Sequence, residues 1–199
     1  MARLADPELA DRRRRQIMDA AIACFRRRGF HQATMQEICA EAGISAGALY
    51  RYFASKAEII AAISEDKRTE SDAAFLRAAE AAGVVEAMCL VAGDFFQKLA
   101  DGDGALIADI IAEAIRDDAI ADSLRATDQR SIGLAVKAIA AGQKRREVDA
   151  TLDPEIAAST LFAALEGIGL RRAFLRETDR EAALSQFRAL AERYLKPRP

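Results

Sequence analysis

Between residues 31 and 56 the chain concentrates hydrogen-bond donors: His31, the helix-start hydroxyls of Thr34, Ser45 and Ser55, the phenols of Tyr50 and Tyr52, and the cations Arg51 and Lys56. Such groups can bind, and catalysis asks for more. His31 is the only histidine, and no serine or cysteine in a nucleophile motif and no acid at triad spacing accompanies it. It reads either as a phosphate donor beside the following helix or as an exposed loop residue. Lys56 falls in the first turn of a helix, where a cation is disfavoured by the helix dipole; a phosphate held by the ammonium and the open amides would account for it. Ala46, Gly47 and Ala48 leave little side chain at the start of a short helix, which would let its backbone lie deep in a major groove about 12 Å wide. The outward Tyr50, Arg51 and Tyr52 can hydrogen-bond or stack. The competing reading is a small helical core, which the clustered phenols oppose, since a buried Tyr hydroxyl needs a partner.

These residues need three closely spaced helix starts, and the sequence supplies them. Thr34 and Glu37 have capping-box spacing, as do Ser55 and Glu58. Between them Gly43 can end one helix in the left-handed conformation and Ser45 can cap the next. The expected order is a frayed arm over 1–10, helix 1 at about 11–28, helix 2 at 34–42, helix 3 at 45–52 with Leu49 and Phe53 inward, and a long helix 4 from 55 to about 80. Helix 1 buries Ile17, Ala20, Ala21, Cys24 and Phe25 at helical spacing. The arm and Arg12–Arg15 read as a solvated segment or, alternatively, as a basic extension touching DNA. Cys39 reads as a small core residue.

The 199 residues are 51% hydrophobic, rich in helix formers and poor in strand formers, so the fold class is all-α. No apolar run approaches the roughly 18 residues of a membrane span, and no export signal is legible; no membrane association is expected. Cys24, Cys39 and Cys89 are scattered without a C-x-x-C pair, which fits a reducing cytoplasm and suggests neither disulfides nor zinc. No Gly-rich phosphate loop, metal-ligand cluster or nucleophile motif is present, so no catalytic site, metal or cofactor is expected. The overall charge of −2 conceals an asymmetry: residues 1–56 hold ten Arg/Lys against six Asp/Glu, a net of +4. A basic lobe joined to an acidic remainder suits a protein of which only the first part meets a polyanion.

The run from Ile17 to Ile60, with A-x-x-x-F (Ala21, Phe25), G-F (Gly29, Phe30), T-M-x-x-I-C-x-x-A-G-I-S-x-G-x-L-Y-R-Y-F and S-K-x-E, resembles the N-terminal domain of the TetR (tetracycline repressor-like) family of bacterial transcriptional regulators. The resemblance implies a three-helix DNA-binding domain with a helix-turn-helix over 11–56 and a helical effector-binding and dimerisation domain over 57–199, about nine helices in all. It implies phosphate contacts from Thr34, Tyr50 and Lys56 and groove contacts from Ser45, Ala46, Gly47 and Tyr52; Arg51 joins them only as an outward cation of the same helix. The chain departs from the family's usual residues at Cys39 and Tyr52, and the second leaves base preference open.

Beyond Gly83 the resemblance is architectural, with helices expected at about 84–100, 104–116, 118–146, 154–176 and 179–195. The breaks rest on a turn cluster at Asp101–Gly104, on Asp153-Pro154, and on a capping box from Thr178 and Glu181. The last two helices carry more apolar surface than one contact needs: Leu161, Phe162, Leu165, Ile168 and Leu170, then Leu184, Phe187, Leu190 and Tyr194. Ala164, Gly167 and Gly169 would permit close approach. The resemblance implies that this surface forms a two-fold dimer interface, for which Leu161, Leu165, Ile168, Leu184, Phe187 and Leu190 are the candidates; the alternative is that the two helices simply cap the core. Met88, Phe95, Phe96, Leu99, Ile107, Ile110 and Ile111 read as core or as the lining of an effector pocket. Asp94, Asp109, Glu113 and Glu166 could give that pocket a carboxylate for a small apolar or cationic effector, or could equally be solvated. The function expected is a homodimeric, ligand-responsive repressor of a palindromic double-stranded DNA operator. The alternative is a non-switching architectural or cell-cycle DNA-binding protein of the same fold.

Overall fold

The computed structural model describes residues 7–66 and 68–197, and among them every regular element is helical. The helices are α1 (Pro7–Arg28), α2 (Met35–Ala42), α3 (Ala46–Tyr50), α4 (Lys56–Glu65), α5 (Arg68–Ala81), α6 (Val84–Lys98), α7 (Gly104–Arg116), α8 (Asp118–Lys144), α9 (Pro154–Phe174) and α10 (Arg180–Leu195). The segment Leu99–Asp103 joins α6 to α7 across a kink at Gly102.

Two expected boundaries are corrected and one is met. The long helix over 55–80 is two helices, because Asp66 takes an extended conformation. Residues 64–72 are all polar, so no apolar stripe holds a helix there against its tendency to break at Asp and Ser. Of the expected arm, Pro7–Ala10 are helical, consistent with proline's tolerance in the first helical turn; residues 1–6 lie outside the described residues. The turn cluster at Asp101–Gly104 breaks the helical path as expected: Gly102, at φ +98°, leaves the helical conformation between α6 and α7.

The chain divides into two compact units, residues 1–66 with 105–125 and residues 67–104 with 126–199. The first therefore takes in α4 and most of α7, beyond the 11–56 span assigned from sequence. Its core is Ile17, Ala21, Cys24, Phe25, Phe30, Ile38, Leu49, Phe53, Ile59 and Ile60, joined by Ile120. Leu106, Ile110 and Ala114 pack on that core from α7. Phe25 and Phe30 meet at 5.0 Å between ring centroids, tying the end of α1 to the turn after it.

In the second unit, α5, α9 and α10 pack against α6. Phe75, Met88, Phe96, Ile139, Leu161, Leu165 and Phe187 form the core. Arg188 makes a two-pronged ion pair with Glu86 that joins α10 to α6, and its hydrogen bond holds the Glu86 carboxyl below its ordinary range. Asp149 is buried, with its carboxylate accepting from the amide and hydroxyl of Thr151, both at 2.8 Å. The α10 cap differs from expectation: Asp179, not Thr178, accepts from the Ala182 amide at 3.0 Å. Asp153 caps α9 as expected, accepting from the amides of Glu155 and Ile156.

Candidate nucleic-acid interface

The helix starts that frame the donors are built as their spacing suggests. Thr34 and Glu37 form a complete capping box: the Thr34 hydroxyl accepts from the Glu37 amide at 3.2 Å, and Glu37 Oε2 accepts from the Thr34 amide at 3.0 Å. Those bonds, first the one from the Thr34 amide, lower the Glu37 pKa against its partial desolvation. Gly43 closes α2 at φ +63°, a conformation that would strain any residue with a Cβ. The Ser45 hydroxyl then accepts from the Ala48 amide at 3.2 Å, and Ser55 does the same for Glu58. The Glu58 carboxylate reaches back to the Ala54 amide at 2.7 Å, one residue before the cap.

Between these caps α3 offers a bare start. Ser45, Ala46 and Gly47 are exposed, and a Cβ on Gly47 would meet nothing within 4 Å. Leu49 and Phe53 are buried and anchor the helix from below, while Tyr50 is 55% exposed and Arg51 is exposed beside it. Tyr52, expected to point outward, packs partly against the core. Its neighbours Leu49 and Phe53 turn that side of the helix inward.

The cations of this unit divide by use. Arg14 lies 4.5 Å above the Phe53 ring and donates to the Tyr52 carbonyl at 3.4 Å, closing the end of α3. Arg27 pairs with Glu41 at 2.9 Å, and Arg28 pairs with Glu37, so part of the second basic run braces α1 against α2. Lys56 is half-buried over the Phe30 ring, at 4.8 Å, and donates to the carbonyls of Phe30 at 2.7 Å and His31 at 3.0 Å. Burial lowers its pKa and Glu113 opposes the shift. The ammonium expected to meet a phosphate is thus directed at backbone oxygens. Arg12, Arg15 and Arg51 are exposed. His31 is an exposed turn residue with Nδ1 3.2 Å from Glu113.

Sequence reasoning missed the contributions of α7. Asp109 Oδ2 accepts from the Phe30 amide at 3.1 Å, and Gly29, at φ +79°, lies so close that an added Cβ would stand 2.6 Å from that oxygen. Arg116 approaches Glu113 at 3.3 Å from the next turn of α7. An acid on a helix reads alike whether it faces water or a distant turn, so no local signal distinguished these two.

The other candidate sites are rearranged. Leu161, Leu165 and Phe187, named for a dimer interface, are at most 3% exposed within the single chain and form its core. Ile168 and Leu184 pack partly on the same core, leaving Leu190 at 38% exposure. Gly169 is used internally too, against Leu99 and Phe95. The surface of α9 is instead marked by Ile156 and Phe174, 66% and 76% exposed, with the open Gly167 between them. Of the pocket candidates, Met88 and Phe96 are core residues of the second unit, with Phe95 and Leu99 packed beside them. Ile107, Ile110 and Ile111 belong to the first unit, where Ile110 packs on the core. In the second unit Phe96, Leu99, Gly169, Arg172 and Arg180 line a cavity of about 10 Å³, room for one water. Desolvation holds Asp128 and Glu166 above the ordinary carboxylate range, and Asp128 raises Glu166 further.

Comparison with known proteins matches this geometry to its relatives. Residues 17–63 match the family described as bacterial regulatory proteins, tetR family, and residues 97–196 match the C-terminal region described as BetI-type transcriptional repressor. The first curated relatives align over 57 and 58 residues, so the match spans about a quarter of their length. The HTH-type transcriptional regulator TtgR of Pseudomonas putida is 29% identical over 170 residues, 81% of this chain and 80% of that protein. Among solved structures, GusR of Salmonella enterica superposes with a TM-score of 0.78 at 26% identity, over 96% of this chain and 98% of that one. FadR of Bacillus subtilis in complex with stearoyl-CoA gives a TM-score of 0.75 at 21% identity, over 90% and 98%.

Proposed function

The chain belongs to the TetR family of bacterial regulatory proteins, and from that premise we propose that it is a homodimeric repressor that binds a palindromic operator and releases or tightens it in response to a small ligand. The observation that carries this reading is the bare, capped start of α3. Ser45, Ala46 and Gly47 are exposed without side-chain bulk, and Tyr50 and Arg51 stand beside them. That arrangement lets backbone and short side chains approach base edges while the flanking donors reach phosphates. Thr34, exposed at the start of α2, would add a further phosphate donor. A single helix-turn-helix reads few base pairs, and a two-fold pair reads two half-sites about 34–36 Å apart or a multiple of it. The α9 stripe of Ile156, Thr160, Ala163, Gly167 and Phe174, exposed along its length, is the surface that would form the pair.

The ligand would be small and apolar or cationic. The fold holds stearoyl-CoA in FadR. Here desolvation, and after it the neighbouring Asp128, raise the carboxyl of the exposed Glu166, and a cationic group beside it would oppose that shift. Coupling would be a population shift of about 1–3 kcal/mol. A non-switching protein of the same fold is the second reading, favoured by the packing of Met88 and Phe96 into the core. Thermal denaturation across a panel of apolar and cationic compounds separates the two: a reproducible shift supports the switch, and a uniformly flat response supports the second reading.

Selection of bound duplexes from a random pool tests the main reading. An inverted repeat should emerge, and the free protein should sediment at twice the chain mass of 21.6 kDa. A pool that stays random would contradict DNA reading, and a monomer that enriches a single half-site would contradict the two-fold mode.

A further inference from the structure

The turn between α1 and α2, residues 29–34, is closed by the Ala33 amide donating to the Gly29 carbonyl at 3.3 Å, and three more of its backbone groups, the Phe30 amide and the Phe30 and His31 carbonyls, are taken up by two other helices. From α4, Lys56 donates to the carbonyls of Phe30 and His31. From α7, Asp109 accepts from the Phe30 amide, while Glu113, one turn further on the same face, stands against the His31 ring at 3.2 Å and within electrostatic reach of Lys56. Glu113 is only 16% exposed. The Phe30 peptide is thus held on both sides, with its amide on α7 and its carbonyl on α4. Gly29 permits this: its positive φ turns the chain, and its missing Cβ leaves the space that Asp109 occupies.

We propose that Asp109 and Glu113 of α7, together with Lys56, are positioning residues for DNA binding: they latch the α1–α2 turn and so set the placement of α2, and of α3 behind it, for the groove. Resting on the DNA-binding reading above, the inference assigns α7 a place in the DNA-reading unit. It also gives Lys56 an internal role in place of a phosphate contact. A change imposed on α7 then acts on the turn directly through two carboxylates, without passing along α4.

The test uses the full chain and the duplex obtained by selection, with affinity measured from 50 to 200 mM KCl against that duplex and a scrambled one. Asp109→Ala combined with Glu113→Gln should lower operator affinity about tenfold or more, as expected for loss of hydrogen bonds to charged groups. Scrambled-duplex affinity and the salt slope should stay as in the wild type. Asp109→Asn, which keeps an acceptor oxygen at the same reach, should recover most of the loss. Lys56→Met should weaken operator binding with its salt slope unchanged, whereas loss of a phosphate contact reduces the slope by about 0.9. The proposal is overturned by wild-type operator affinity in the double variant, by equal loss on both duplexes, or by a slope reduced in Lys56→Met. Should the double variant not fold, Glu113→Gln alone decides: an unchanged ratio of operator to scrambled affinity contradicts the latch. Failure of the wild type to select any duplex is a different outcome and removes the DNA-binding reading itself.

Discussion

Single residues in this chain do work that their type alone does not announce. Lys56 and Arg14 look like phosphate contacts in a basic segment, yet each lies over a phenylalanine ring and donates to main-chain carbonyls. A cation placed on an aromatic face and given a carbonyl keeps much of the stabilisation it loses from water. Leu161 makes the opposite point. It looks like half of an interface, but it is fully buried within one chain. Leu161→Ala should therefore destabilise the fold by about 2–5 kcal/mol, the range for deleting a large aliphatic side chain from a core. Chemical denaturation at several protein concentrations checks this; a loss that appears only as weaker self-association, with the monomer's stability intact, would restore Leu161 to an interface.

The helices of the DNA-reading unit are legible because their ends are local. Thr34, Gly43, Ser45 and Ser55 act on amides or carbonyls a few residues away, so the caps could be read from spacing and are present. What could not be read is what joins distant elements. Asp109 meets Phe30 from 79 residues away, and Arg188 meets Glu86 from 102; nothing near either residue marks the pairing. The break at Asp66 failed for another reason, since capping at Ser55 says where α4 starts and propensity says little about where it stops. Similarly, α9 is apolar on several sides, and periodicity cannot tell a face turned to its own core from one left exposed. The α2 cap has a pH signature. Because the folded Glu37 pKa lies below its ordinary 4.5, its stabilisation is present above that value and is lost as pH falls through the folded pKa. Glu37→Gln retains the capping geometry without the charge. The difference in melting temperature between wild type and Glu37→Gln should shrink as pH falls from 7 to 3; a difference constant over that range would contradict a charge-dependent cap.

At the scale of the molecule, charge and surface divide the labour. The net +4 of residues 1–56 is partly spent on internal pairs such as Arg27–Glu41, so the operator would meet a smaller set of exposed cations, Arg12, Arg15 and Arg51 among them. Recognition would then depend on how closely α3 can approach the bases, and dimerisation through the exposed α9 stripe would multiply that modest contact by two. The proposed DNA contact is centred on the open start of α3. Gly47 tests it with little structural disturbance, because a Cβ there meets nothing within 4 Å. Gly47→Glu should leave the melting temperature nearly unchanged and place a carboxylate where base edges and phosphates are expected. Fluorescence anisotropy on the selected duplex at constant salt should show operator affinity falling by about a hundredfold or more, beyond the tenfold that 1.4 kcal/mol represents. Wild-type affinity in this variant would contradict the placement of α3 in the groove.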